Sequence, residues 1–234
     1  ECIDRHRGTG TAIRIAFADG RDEAYTFDEL ADWSGRFANY LVSVGVQPGD
    51  RIGILLDPCL LFYVALFGAM KRGAIAVPMF TLFGRDALAM RLDDCTPCVL
   101  VTNEEKAELA ADREGLKVVV ADDALLETLR EFPVEFDVST GSRDMALFQY
   151  TSGTTREMPE AVKHTHQSVV TVTIASLYAT GVRPGDNYCC PSSPAWGHGL
   201  AHGTIGPLAL GVNITAWSGQ FNPERMLQVL QDYE

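Results

Sequence analysis

The hexapeptide Gly45-Val-Gln-Pro-Gly-Asp50 recurs as Gly181-Val-Arg-Pro-Gly-Asp186, and this echo constrains the fold more than any other feature of the chain. Each copy follows an apolar helix-like segment. Each precedes a strand-like run, a Pro-containing turn, a second helix, a glycine and another strand. The closing strands, Ile75-Ala-Val77 and Ile214-Thr-Ala-Trp217, stand at similar distances downstream. A turn motif can recur by chance, but matched flanks make that reading the weaker one. The pattern predicts an α/β fold of two related halves, each a parallel or mixed sheet flanked by helices. A first subdomain is expected over residues 1–140, an N-terminal hairpin plus βα units. The start of a second is expected over 141–234, with the boundary in the Pro-, Ser- and Gly-containing stretch from Phe132 to Arg143.

Local signals fill in the first half. Ile13 to Phe17 alternates in character and Asp19-Gly20 turns the chain toward Ala24-Tyr25, which predicts a hairpin. Thr26-Phe-Asp-Glu29 is a capping box, opening a helix with Leu30, Trp33, Phe37 and Leu41 on one face. The run from Ile52 to Met70 is apolar enough for a membrane span. Asp57-Pro58 splits it into a strand-sized and a helix-sized piece, so no span is expected. Weaker strands at Cys98–Val101 and Lys117–Val120 each lead into an acidic helix, and the acidic run over 104–137 reads as a solvated outer face.

Composition narrows the partners. A chain of 234 residues with 47% apolar side chains is not intrinsically disordered. Its 31 acidic against 19 basic residues give a net charge of −12, which argues against nucleic acid and anionic lipid as partners. Cys95-Thr-Pro-Cys98 lacks the second ligand pair that a zinc site wants, so the six cysteines read as buried reduced thiols. The first residues have no apolar core for a signal peptide, and the expected compartment is the cytoplasm. The chain starts without methionine, and Leu230 to Glu234 falls inside a helix-like pattern; both termini read as cut.

The head of the second half carries the chemistry. Ala146 to Tyr150 reads as a short strand, followed at once by Thr151, Ser152, Gly153, Thr154 and Thr155. Such a segment can wrap an anion with hydroxyl and backbone N–H donors, and its hydroxyls can ligate a magnesium ion that accompanies phosphate. An ordinary Ser/Thr turn has the same composition, and no Walker A sequence is present. His164 and His166 flank Thr165, which reads as a cap for a helix over Val169–Ile174. His198 and His202 stand four apart without an acidic or Cys partner, so no metal site is assigned. Gly197 to Gly203 approaches a dinucleotide fingerprint but does not follow a strand. Trp196 reads equally as core or as pocket wall.

Phe148-Gln-Tyr-Thr-Ser-Gly-Thr-Thr155, with Pro159 and Val162-Lys-His-Thr-His166, resembles the signature of the adenylate-forming superfamily: acyl-CoA synthetases, luciferases and peptide-synthetase adenylation domains. Tyr25 to Leu30, Gly68 to Pro78, Trp196-Gly-His198 and Phe221 to Glu224 are similar to further family landmarks, in the family's order. The resemblance spans residues 10–234 and is to the acetyl- and medium-chain acyl-CoA synthetase branch in particular. It implies a ligase that activates a small carboxylic acid with ATP and Mg2+ and passes the acyl group to CoA. It further implies that Thr151, Ser152, Gly153, Thr154, Thr155 and Lys163 bind the nucleotide, and that Trp196 and His198 border the substrate pocket. The sequence departs from the family where the usual Lys is Glu160 and both nearby glycines are lost, leaving Arg156 or Lys163 to supply positive charge. The family continues well beyond this length, so the chain reads as an N-terminal fragment, inactive alone, whose exposed apolar surface could pair copies. Two other readings stay open: an aryl- or amino-acid adenylating domain serving a carrier protein, and a non-catalytic module with a vestigial loop.

Overall fold

A computed structural model describes residues 2–150 and 160–233, and strands alternate with helices along it. The elements in chain order begin with β1 (Thr11–Phe17), β2 (Asp22–Thr26), α1 (Phe27–Ser43), β3 (Arg51–Leu55), α2 (Leu60–Arg72) and β4 (Ile75–Pro78). They continue through α3 (Arg85–Cys95), β5 (Val99–Thr102), α4 (Glu104–Ala107), β6 (Lys117–Val120), α5 (Asp123–Arg130), β7 (Met145–Tyr150) and β8 (Ala161–Thr165). The last are α6 (Ser168–Ala175), β9 (Asn187–Cys190), α7 (Gly197–Leu200), α8 (Gly206–Ala209), β10 (Asn213–Ser218) and α9 (Pro223–Asp232).

The capping box forms as its residues dictate. The Thr26 amide donates to Glu29 Oε2 at 2.7 Å and the Glu29 amide donates to Thr26 Oγ1 at 3.1 Å, satisfying two backbone donors that α1 leaves unpaired. The expected hairpin is β1 against β2. The Asp57-Pro58 split separates β3 from α2, and no helix among the described residues is long and apolar enough to cross a membrane.

Two sheets result, giving the mixed α/β class that the sequence predicts. One has the order β6-β5-β3-β4-β7-β8, parallel throughout except for β8 at its edge; the other has the order β2-β1-β10-β9. The chain forms two compact units that interleave in sequence. One comprises Glu1–Ala31, Asp57–Leu60 and Ser168–Glu234; the other comprises Asp32–Leu56 and Leu61–Gln167. The sequential division at 140/141 differs from this, because β1 lies parallel to β10 from Ile13↔Ile214 to Phe17↔Ser218 and the N-terminal hairpin therefore joins the C-terminal unit. In that unit Trp217, Met226 and Val229 bury against Ala16, and Arg225 Nη2 holds both oxygens of Asp22 at 2.5 Å. In the other unit Leu55, Val77, Met79, Leu88, Leu92 and Leu100 form a continuous core.

The repeated hexapeptide builds the same turn twice. The Gln47 amide donates to Asp50 Oδ2 at 2.7 Å, and the Arg183 amide donates to Asp186 Oδ2 at 2.8 Å. The return bonds, Asp50 N to Gln47 O and Asp186 N to Arg183 O, are both 3.1 Å. Both turns place their second glycine in the left-handed region, with φ of 85° at Gly49 and 92° at Gly185, where a Cβ would be strained. Each turn then feeds a strand–helix–strand crossover, β3 to β4 in one unit and β9 to β10 in the other, closing on a parallel pair.

The stretch expected to be a boundary is strapped down instead. Asn39 Nδ2 donates to the carbonyls of Pro133 and Glu135, each at 2.9 Å, and Arg36 Nη1 donates to those of Arg130 and Phe132 at 2.6 and 2.5 Å. The strap crosses α1 at Gly35, where a Cβ would overlap the Val134 carbonyl oxygen. Alanine normally favours a helix over glycine by about 1 kcal/mol. At this position the clash reverses the sign: Gly35→Ala is expected to destabilise the chain by about 1–3 kcal/mol in urea titration. A stabilised variant would show that the strap does not rest on α1.

Candidate functional site

The hydroxyl-rich segment leaves from the end of β7 and the chain returns along β8. These two strands pair antiparallel, with Tyr150 opposite Ala161 and Phe148 opposite Lys163. Residues 151–159, and with them Thr151, Ser152, Gly153, Thr154, Thr155 and Arg156, lie outside the described residues. Because β7 runs parallel to β3–β6, it ends at the carboxyl edge of that sheet, the edge where open α/β sheets place their ligands. Lys163 is exposed on β8, with Nζ 5.3 Å from the centre of the Phe148 ring. Glu160 is exposed at the start of the return.

Beneath the end of β7 lies a polar cluster that the sequence did not announce. The Tyr150 hydroxyl is 2.6 Å from Asp94 Oδ2 and 3.1 Å from the Arg91 carbonyl. Burial, then the hydrogen bond to Asp94, raises the Tyr150 phenol far above its ordinary value. The Arg91 guanidinium stacks 3.8 Å from the Phe83 ring centre and lies 5.6 Å from that of Tyr150; burial lowers its pKa. Arg91 and Asp94 belong to α3, a helix whose charged sequence hides a short apolar repeat of Leu88, Leu92 and Cys95. That helix ends on Thr96 in a left-handed conformation, held by Arg51: Nε donates to the Cys95 carbonyl and Nη2 to the Thr96 carbonyl, both at 2.8 Å. Burial pushes the Cys95 thiol up to about 11, so half of the CxxC pair is a core thiol, as expected.

Trp196 and His198 belong to the other compact unit. Trp196 is half-buried just before α7, and His198 is exposed on it, 5.4 Å from the His202 ring. Among the described residues no group of three metal-ligating side chains gathers. The glycines that approached a dinucleotide fingerprint have a packing role. A Cβ at Gly199 would overlap the Ser192 and Ser193 carbonyls, and one at Gly203 would stand 2.7 Å from Cys190 Sγ. Between α7 and α8 the helix widens into a π turn over Ala201–Ile205, and a second π turn, Ser176–Thr180, follows α6.

Thr165 closes β8 and α6 begins at Ser168, so the expected helix follows it. The adjacent His166 donates its amide to the Asp144 carbonyl at 3.0 Å, and its Nε2 is buried without a hydrogen-bond partner. Burial lowers the His166 pKa, and the neighbouring Asp144 opposes that shift. The neutral ring is thus the folded form. Stability is full above the unfolded value of about 6.5 and falls as pH drops below it. Melting temperature is expected to decline from pH 7 to 5, and His166→Gln to flatten that decline; an unchanged slope would exclude His166 as a source.

The two-sheet α/β fold, with the sequence signature that β7 and β8 flank, defines a chain of the adenylate-forming class. Residues 5–234 match the AMP-binding enzyme family, and the chain belongs to it. It is 30% identical over 244 residues to an acetyl-coenzyme A synthetase of Bacillus subtilis, covering 96% of this chain and 42% of that relative. It is 27% identical to a 3-hydroxybenzoate–CoA ligase of Aromatoleum, covering 100% of this chain and 46% of the other. The crystal structure of an acyl-CoA synthetase from Brucella canis superposes with a TM-score of 0.90 at 26% identity, over 99% of this chain and 44% of that one. The chain therefore spans less than half the length of these relatives, and it corresponds to their N-terminal part.

Proposed function

We propose that this chain is the N-terminal part of an AMP-forming acid–CoA ligase acting on a small carboxylic acid. The observation that carries the reading is the family signature borne by a β7–β8 hairpin at the carboxyl edge of a parallel sheet. The reaction is governed by charge. A carboxylate must approach the α-phosphorus of ATP, itself part of a polyanion, and expel pyrophosphate; the thiol of CoA then displaces AMP from the acyl-adenylate. The protein has to neutralise and hold the phosphates before the carboxylate can close.

The donor set suits that task. Thr151, Ser152, Thr154 and Thr155 offer hydroxyls, Gly153 a backbone N–H without a side chain to obstruct it, and Lys163 an exposed cation on the returning strand. Magnesium, when bound, would neutralise phosphate oxygens, with the same hydroxyls as its natural protein ligands. Trp196 and His198 are assigned to the acyl side. CoA is favoured over a carrier protein as acceptor because the acetyl- and 3-hydroxybenzoate-activating relatives are both named for CoA. Six free cysteines and the lack of a membrane-crossing helix among the described residues fit a cytoplasmic enzyme.

Acid-dependent ATP–pyrophosphate exchange tests the reading. The whole protein is expected to exchange with at least one small acid, and residues 1–234 alone are not. Because Glu160 replaces the family's lysine, Arg156→Ala and Lys163→Ala together should slow exchange about tenfold or more. Full activity in that double variant would remove both residues from the phosphate site.

A further inference from the structure

Asp94 occupies a position that its own helix disfavours. It lies in the last turn of α3 beside Asp93, where the helix dipole opposes negative charge. Asp93 finds Arg113 Nη1 at 2.6 Å. Asp94 instead receives the hydroxyl of Tyr150, also at 2.6 Å, the length of a charge-assisted bond. A phenol has one proton to give, and the carboxylate is both closer and more strongly accepting than the Arg91 carbonyl at 3.1 Å. Tyr150 is only 3% exposed, and its raised pKa keeps that proton in place at any physiological pH.

The consequence lies one residue further on, since Tyr150 ends β7 and Thr151 follows it. We infer that Asp94 is a positioning residue for nucleotide chemistry: by accepting the Tyr150 hydroxyl it ties the departure point of the hydroxyl-rich segment to the end of α3. The helix is itself fixed, through Arg51 on the Cys95 and Thr96 carbonyls, to the start of β3. Arg91, packed on Phe83, lies 5.6 Å from the centre of the Tyr150 ring. The inference rests on the ligase reading above. It adds a specific claim, that a side chain outside the signature anchors the signature's tyrosine.

Misplacing a catalytic group by about 1 Å costs on the order of a hundredfold in rate, so loss of the anchor should be visible in kcat. In the whole protein, Tyr150→Phe and Asp94→Ala are each expected to lower the kcat of ATP–pyrophosphate exchange about ten- to a hundredfold, with the KM for the acid nearly unchanged. The double variant should be no worse than the poorer single one, because both remove the same bond. Asp94→Asn, which keeps an acceptor of the same shape, should recover most of the rate and serves as the comparison if Asp94→Ala does not fold. Wild-type rates in the Tyr150→Phe variant, additive losses in the double, or losses that only follow the folded fraction would each overturn the inference while leaving the ligase reading intact. A wild-type protein that exchanges with no acid would overturn both.

Discussion

The parallel pairing of β1 with β10 is the contact on which one whole unit depends. It joins Ile13 to Ile214 and runs five residues in register to Ser218, so the sheet cannot exist until the two ends of the chain meet. Closing a loop of that size costs about 5 kcal/mol in chain entropy. Ile13, Ile15 and Ile214, each at most 1% exposed, offset it, since fully burying an aliphatic side chain stabilises by roughly 1.5–3 kcal/mol. The Arg225–Asp22 pair then holds α9 against the N-terminal hairpin. Nothing inside residues 1–31 could supply such a surface alone, so the compact units interleave instead of following one another.

Within each unit the repeated turn acts as a template whose later course is free to vary. Both copies hold a strand start with an Asp-to-amide bond, and both crossovers return to a parallel partner. The first crossover is one continuous helix of residues Leu60–Arg72; the second is broken by a π turn and lined by glycines that press against the end of β9 and against Ser176. The second crossover carries His198, and the interruption changes which side chains that helix presents. Equivalent frames thus give one crossover that is a continuous buried helix and one that is broken and exposes His198.

How much could be read in advance follows from how local each signal is. The capping box, the hairpin and the GVxPGD turns each close within a few residues, and each formed as their side chains predict. Helix α3 was not legible. Its apolar positions Leu88, Leu92 and Cys95 are spaced by charges and followed by Thr96, a poor residue for the left-handed cap that Arg51 makes tenable. With it went Arg91 and Asp94. The strap over Gly35 reads as a boundary because Pro133, Ser139 and Gly141 have the composition of one; the Asn39 and Arg36 bonds that pin it come from far away in sequence. The unit division failed to show for the same reason, since the β1–β10 pairing leaves no mark on either strand by itself.

The net charge of −12 stands against the proposed handling of triphosphate only as a long-range field. At physiological ionic strength, charges beyond about 8 Å are largely screened, so a net charge spread over the chain counts for less than groups in direct contact with a phosphate. The groups proposed to act on phosphate are local, neutral hydroxyls and amides with Lys163, while Asp94 is engaged by the Tyr150 hydroxyl at 2.6 Å. For the proposed site, which would accept an anionic substrate and release anionic products, neutral donors are a suitable choice, because they bind phosphate by direction as well as by charge. That makes geometry the controlling variable, and it puts the weight on whatever holds the end of β7 in place.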